Sequence, residues 1–231
     1  MYDLAIIDGS YLAHKVRHSL SDINSMPGAF FDEIERILGP LNVESMVLCW
    51  DRGPYFRARE FPAYKAHRYE GLTDSEEEAL RLFYIQLDRI KEVFGLVMHQ
   101  RSIELRGLEA DDIAASIANC HGGLVFDSTR SVLISSDGDW CQLVRAGVDF
   151  YRPGKGLFTD VDLIFEYGGA AEFVAAKALA GDSSDNIPGV EGVGMKTAVK
   201  YLGGKASKAK TEAIEEFMML GGYARNVNLM K

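Results

Sequence analysis

The sequence predicts an α/β protein, with a mostly parallel central sheet flanked by helices and a small helical module after it. Three observations carry this expectation. The apolar runs Leu4–Asp8 (LAIID), Met46–Asp51 (MVLCWD) and Ser131–Ser135 (SVLIS) read as fully buried strands, with helix signals between them. Two of these strands end in an aspartate, which marks the carboxyl edge of a parallel sheet as the functional edge. Beyond Thr159 the pattern changes to short helices with no further strand signal. An apolar content of 47% in 231 residues suffices for one large body with an appendage, and we place a soft boundary at Gly168–Gly169.

In chain order, the first strand closes in Asp-Gly, and Ser10 is the expected N-cap of a helix to about Leu20. An aspartate after a strand commonly does no more than cap a turn, so Asp8 and Asp51 taken singly have a bland explanation. Residues 52–68 (RGPYFRAREFPAYKAHR) are basic and aromatic, and Pro54 and Pro62 exclude one continuous helix. Lys65 and Arg68 would share a face if a helix begins there. Such a segment fits base stacking and phosphate contact, and equally a solvated loop. Ser75 with Glu78 forms a capping box, and apolar positions 80, 83, 87, 90 and 94 predict an amphipathic helix ended by Gly95. Leu96–His99 is a weak strand signal.

In GLEADDIAASIAN (107–119), Glu109 and Asp112 share a helix face, with Asp111 beside them. Asp137 and Asp139 follow the third strand and point the same way if extended geometry persists. Val148–Tyr151 and Leu157–Thr159 predict a hairpin around Pro153–Gly156. Helices are then expected at Asp160–Tyr167, Ala171–Ala180, Lys196–Leu202 and Ser207–Leu220.

No run approaches the ~20 apolar residues of a membrane span, and Met1 leads directly into a strand rather than a signal peptide. Cys49, Cys120 and Cys141 lack CxxC spacing and read as buried thiols in a reducing, intracellular setting. The net charge of −9 leaves a polyanionic partner open, because the charge is uneven. There are five Lys/Arg against one acid between Arg52 and Arg68, and five lysines against no acid between Gly192 and Thr211.

The acids carry the chemistry. Asp8, Asp51, Glu109, Asp111, Asp112, Asp137, Asp139, Asp182 and Asp185 come from five segments, each at an element end. Two carboxylates ~4 Å apart repel by roughly 4 kcal/mol at an effective dielectric near 20, so a cluster of this size demands cations or protons. Oxygen ligands without His or Cys select hard ions, Mg²⁺ or Mn²⁺. More acids than one octahedral ion can use suggest two metal positions, as in metal-assisted phosphodiester hydrolysis. Lys65 and Arg68 supply charge for a phosphate. The turn Gly189–Gly194 (GVEGVG) lets backbone approach a phosphate at the start of a helix bearing Lys196 and Lys200.

At these residues the sequence resembles the 5′-nuclease superfamily: flap endonucleases, the 5′-nuclease domain of bacterial DNA polymerase I and phage 5′-3′ exonucleases. The motifs are IDGS (7–10), WDRG (50–53), FPAYKAHR (61–68), GLEADD (107–112), SSDGD (135–139) and GDSSDNIPGVEGVGMKTA (181–198), in the family's order. The bacterial and phage branch is nearest. The resemblance implies a PIN-like nuclease domain over 1–168, a helical arch at about 64–94, and a helix–hairpin–helix (H3TH) module over 169–231. It implies cleavage of DNA at 5′ flaps, branches and ends, with RNA of RNA–DNA hybrids as a secondary substrate. The enzyme would be a monomer without a membrane partner, inside a bacterium or a phage-infected host, using two or more Mg²⁺ or Mn²⁺ ions. By position, Asp8, Asp51, Glu109 and Asp111 match carboxylates of a first metal, with Asp112 beside them, and Asp137, Asp139, Asp182 and Asp185 those of a second. Lys65 matches the catalytic lysine, Arg68 its accompanying arginine and Tyr64 a stacking tyrosine. Gly189, Gly192, Gly194, Lys196, Thr197 and Lys200 fall in the duplex-gripping hairpin. A K⁺ ion there would be held by main-chain oxygens of Leu179, Ala180, Pro188, Val190 and Val193.

Trp50-Asp51-Arg52 departs from the more usual Phe-Asp-Gly, which leaves the ligand but alters its neighbours. The short remainder after the hairpin implies a reduced duplex surface, and its ending GGYARNVNLMK favours a free-standing chain over a domain of a longer polymerase. Two other readings remain: a PIN-type metal-dependent ribonuclease, which normally lacks such a hairpin, and a non-catalytic DNA-structure-binding protein, which missing acids would mark.

Overall fold

The structure is a computed structural model that describes residues 1–53, 55–97, 101–121 and 129–230. Contacts divide the chain into two units, Met1–Pro54 with Gly71–Thr159, and Tyr55–Glu70 with Asp160–Lys231.

In the first unit, β1 (Tyr2–Asp8) leads through α1 (Gly9–Ser19) and α2 (Met26–Leu38) to β2 (Val43–Trp50). After α3 (Tyr55–Glu60), which belongs to the second unit, come α4 (Asp74–Glu92), β3 (Arg101–Glu104), α5 (Ala110–His121) and β4 (Ser131–Ile134). A hairpin of β5 (Val148–Arg152) and β6 (Gly156–Phe158) completes the sheet where the sequence places it. The strand order is β3-β2-β1-β4-β5-β6, parallel throughout except for β6. Order steps outward on either side of the β1–β4 pair, so the topological switch point lies at their carboxyl ends, where ligand crevices open in parallel sheets. The register pairs Asp8 with Cys49 and Ile7 with Ile134, so Asp8, Asp51 and Ser135 all emerge at that edge.

One sheet face, with Ala5, Ile7, Leu48, Val132 and Ile134, packs against Leu12, Met26, Phe30 and Ile37 of α1 and α2 and against Phe83, Leu87 and Ile90 of α4. By strand alternation Ile6, Val47 and Leu133 turn to the other face, which α5 covers. α2 has no counterpart among the expected elements, and Pro27 stands near its start. Proline is in fact tolerated there, in the first helical turn. The capping box of α4 is Thr73 with Glu76, not Ser75 with Glu78, whose carboxylate instead pairs with Arg81 at 2.7 Å. The helix continues past Gly95 as a π turn, Val93–Val97, which takes up the start of the expected 96–99 strand. Residues 98 and 99 of that expectation lie outside the described residues, and the strand runs over 101–104. Of the segment expected as an arch, 64–94, the last turns of α4 are core, with Phe83, Leu87 and Ile90 buried. Cys49 and Cys141 are buried thiols as expected, but Cys120 is exposed.

The second unit contains α3 and the helices α6 (Asp160–Tyr167), α7 (Ala170–Ala180), α8 (Met195–Leu202), α9 (Lys208–Met219) and α10 (Gly222–Met230). The sequence offered no strand here, yet β7 (Gly181–Asp182) and β8 (Ile187–Pro188) form a two-residue antiparallel ladder, too short for alternation to reveal. α10 was also not anticipated. Ala176, Leu179, Val190, Val193, Ala198 and Ile214 form one core of this unit. Among the described residues no helix is long and apolar enough to cross a membrane.

The substituted tryptophan is locked in place. Trp50 stacks on Phe30 with centroids 5.8 Å apart and donates its indole N–H to Ser102 Oγ at 2.7 Å. A Cβ on Gly9 would stand 2.7 Å from that ring. Gly9→Ala is therefore expected to lower stability by roughly 1–3 kcal/mol, read from the denaturant midpoint, with Trp50→Phe in the same chain recovering part of it. Wild-type stability in Gly9→Ala would mean that the ring can yield.

Candidate functional site

In the first unit, hydroxyl and main-chain donors gather the acids at the switch point. Asp8, rather than Ser10, caps α1: its Oδ1 accepts from the Tyr11 N–H at 2.8 Å, and its Oδ2 accepts from the Ser135 hydroxyl at 2.8 Å. Ser10 instead ties the ends of β1 and β2, its Oγ accepting from the Asp51 N–H at 2.9 Å. The Asp51 carboxylate accepts from the Ala110 N–H, the first residue of α5, at 2.7 Å. That bond brings the buried Glu109 and the first turn of α5, with Asp111 and Asp112, to the same edge. Asp112 Oδ2 accepts the Glu109 N–H at 2.9 Å. Beyond β4, Ser135 Oγ accepts from the Asp137 N–H at 3.1 Å, and Asp137 Oδ1 accepts from the Asp139 N–H at 2.9 Å, opening the 3₁₀ turn Gly138–Leu143. The sequence reading gave Ser10 a different task, as N-cap, and missed Ser135, although it stands inside the motif SSDGD.

The electrostatics of this edge ask for a cation. Burial holds the Asp8 carboxyl well above the usual carboxylate range, and the nearby Asp51 and Asp137 push it the same way. The bonds from Tyr11 and Ser135 oppose the shift without cancelling it. Burial, with Asp8 and Asp51 adding to it, also pushes the Cys49 thiol up, so it stays protonated and the donor set is oxygen alone. A buried carboxylate whose charge is disfavoured, among further carboxylates, fits a hard divalent ion.

In the second unit, Tyr64, Lys65 and Arg68 converge on Asp185. The Tyr64 hydroxyl donates to Oδ2 at 3.1 Å and Arg68 to Oδ1 at 2.8 Å, while Lys65 Nζ stands 3.6 Å from Oδ2. The Lys65 N–H also donates to the Asp185 main-chain oxygen at 3.1 Å. Lys65 adopts a left-handed φ of 54°, a backbone cost that this set of bonds sustains. Tyr64, expected as a stacking platform, is 5% exposed and packs with Ala178, Ile187, Leu229 and Met230, so its ring is core and its hydroxyl holds Asp185. Arg57, from the same basic stretch, is also buried and donates to the Leu229 oxygen at 2.8 Å, a cap on the last turn of α10.

Asp182 accepts from the Ser184 N–H at 2.8 Å and from Lys177 Nζ at 2.8 Å. Burial would raise its carboxyl, but Lys177 and Ser184 outweigh burial and hold it below the usual range. Lys177 escaped the sequence reading because a single lysine in VAAKALA reads as the solvent side of a helix.

The glycines divide in role. A Cβ on Gly189 would fall 2.1 Å from the Ala180 oxygen, and one on Gly181, whose φ is 73°, would fall 2.3 Å from the Gly189 nitrogen. These two glycines let two backbones cross. Gly194 caps α8, which carries Lys196, Thr197 and Lys200, and the Lys210 ammonium covers Gly192. Of the oxygens predicted to hold K⁺, Leu179 accepts from Val190, Val190 from Val193, and Pro188 from the Asn226 amide at 2.9 Å.

Residues 3–168 match the family model described as 5′-3′ exonuclease, N-terminal resolvase-like domain, and residues 169–216 match 5′-3′ exonuclease, C-terminal SAM fold. The chain is 30% identical over 205 residues to the flap endonuclease of Escherichia phage T5, covering 87% of this chain and 69% of that protein. It is 32% identical over 206 residues to the thermostable DNA polymerase I of Thermus thermophilus, covering 85% of this chain and 23% of the polymerase, so it spans less than a quarter of that relative. Among solved structures, a bacteriophage T5 flap endonuclease variant in a pseudo-enzyme–product complex with DNA and metal ions superposes with a TM-score of 0.82 and 24% identity, covering 99% of this chain and 88% of that one.

Because the folded state raises the Asp8 carboxyl, it keeps a proton that the unfolded chain has already released, and the metal-free protein loses stability as pH rises above the ordinary carboxylate range. Asp8→Asn retains an acceptor for Tyr11, turns its amide toward Ser135 Oγ and removes the charge. At neutral pH in EDTA its melting temperature is expected to rise by roughly 2–4 °C for each kcal/mol recovered, and the gain should vanish on acidification toward pH ~4. A scanning fluorimetry series showing no gain at neutral pH would refute this account of Asp8.

Proposed function

The chain belongs to the 5′-3′ exonuclease family, and from that premise we propose that it is a structure-specific 5′ nuclease acting on DNA at flaps, branches and ends. The observation that carries the reading is the buried Asp8 carboxylate at the switch point, joined through Ser10, Ser135 and Ala110 to acids from three further segments. The T5 enzyme captured with DNA and metal ions supports a DNA substrate.

We assign Asp8, Asp51, Glu109 and Asp111 to a first divalent ion, with Asp112 fixing the Glu109 main chain, and Asp137, Asp139, Asp182 and Asp185 to a second. When bound, such ions activate water and neutralise charge on a phosphodiester during its hydrolysis. Ser135 and Tyr11 orient Asp8, and the first turn of α5 lends its amides and dipole to the neighbouring carboxylates. Lys65 and Arg68 are the charges that meet the scissile phosphate, and Asp185 holds both in register beforehand. The start of α8, with Gly194, Lys196, Thr197 and Lys200, grips the duplex backbone. Mg²⁺ as the working ion, K⁺ at the hairpin and RNA–DNA hybrids as further substrates are the finer parts of the proposal.

Cleavage of a 5′-flap DNA is expected to stop in EDTA and return with Mg²⁺ or Mn²⁺; robust cleavage in excess chelator would sink the reading. Lys65→Ala should lose turnover by about 10²–10³-fold, as removal of a charge acting on the transition state does, while flap affinity changes far less. Equal losses in single-turnover rate and in Kd would show that Lys65 only binds.

A further inference from the structure

α10 lies beyond the second range matched to the family, which ends at residue 216, yet it is part of this unit's core. Leu229 and Met230 pack there with Tyr64, Ala178 and Ile187. On the same helix, Asn226 has no exposed surface. Its Nδ2 donates to the main-chain oxygens of Ala178 at 2.8 Å and Pro188 at 2.9 Å. Its Oδ1 accepts from the Arg225 guanidinium at 2.9 and 3.1 Å, and because a guanidinium only donates, this pairing fixes which end of the amide faces which way.

Ala178 and Pro188 flank the loop that carries Asp182 and Asp185. Across its base the β7–β8 ladder has two residue pairs, Gly181–Pro188 and Asp182–Ile187, and a pairing that short has little stability of its own. The Asn226 amide adds a bond to each side of the same base, buried at Ala178 and partly buried at Pro188. Arg225 reinforces it, lying 5.2 Å over the Phe61 ring and reaching the Pro188 oxygen at 3.4 Å.

We propose that Asn226 is a positioning residue: by clamping Ala178 to Pro188 it sets the placement of the Asp182 and Asp185 carboxylates, and with it the affinity for a divalent ion they help to hold. The inference rests on the metal-dependent nuclease reading. Groups that orient metal ligands typically govern affinity or activity by about 10–100-fold, and a role limited to satisfying two main-chain carbonyls would lower stability without a selective effect on metal.

Two variants test it. Asn226→Leu removes the donors at similar volume, and Arg225→Met keeps them but releases Oδ1. Mn²⁺ is titrated into each metal-free protein and followed by electron paramagnetic resonance, beside the Mg²⁺ dependence of 5′-flap cleavage. Asn226→Leu is expected to weaken one class of bound Mn²⁺ by about ten-fold or more and leave the other unchanged. The Mg²⁺ midpoint should rise in parallel, with KM for DNA within about two-fold of wild type. Arg225→Met should shift the same class by a smaller factor. A folded Asn226→Leu protein with a wild-type Mn²⁺ isotherm overturns the proposal; if that variant does not fold, a wild-type isotherm in Arg225→Met overturns it. Wild-type protein that binds Mn²⁺ but cuts nothing refutes the nuclease reading, and the Mn²⁺ comparison still decides Asn226. Wild-type protein that binds no Mn²⁺ refutes both.

Discussion

The repulsion between carboxylates at the edge of a buried sheet is the constraint on which this molecule depends. Asp8 must sit at the end of β1, where the strand is covered on both faces and the dielectric is low. Its geometry is held by the Tyr11 N–H and the Ser135 hydroxyl, and that of Asp51 by the Ala110 N–H. These neutral donors orient the carboxylates without neutralising them. The second unit follows the opposite scheme: Asp182 has the Lys177 ammonium and Asp185 has Lys65 and Arg68. Asp8 is accordingly held above the usual carboxylate range and Asp182 below it. Burial decides the charge of Asp8, and the neighbouring ammonium decides that of Asp182.

Close backbone and ring approaches complete the framework. Trp50 occupies the volume that a side chain at position 9 would need, so the residue before a proposed metal ligand also dictates the residue after another. The crossing of Gly181 and Gly189 brings the backbones of the GDSSDNIPG segment nearer than any Cβ would permit, and Asn226 closes the same loop from α10.

The strands β1, β2 and β4 were legible as continuous apolar runs, the amphipathic α4 by its 3.6-residue period and the β5–β6 hairpin by the turn residues between its strands, whereas β3 was expected a few residues too early. Legible too was the emergence of Asp8 and Asp51 at one edge of the sheet, since each closes an apolar run. The two-residue β7–β8 ladder is too short to write a period, and α2 and α10 were passed over, α2 although Met26, Phe30, Ile34 and Ile37 recur at helical spacing. The cap of α4 moved from Ser75 to Thr73 because two Ser/Thr-x-x-Glu patterns overlap there and only packing chooses between them.

The sequence by itself determined the fold class, the edge of the sheet at which the acids gather and the motifs that mark the family, because covalent spacing sets these directly. Only the tertiary structure decided what each polar group touches. It made Asp8 the cap of α1, gave Ser10 and Ser135 the task of joining strand ends, turned Tyr64 and Arg57 inward and set Asn226 at the base of the Asp182–Asp185 loop. The physical reason is that a hydrogen bond or ion pair forms between atoms brought within about 3 Å by packing, and no local pattern encodes a partner 41 to 172 residues away.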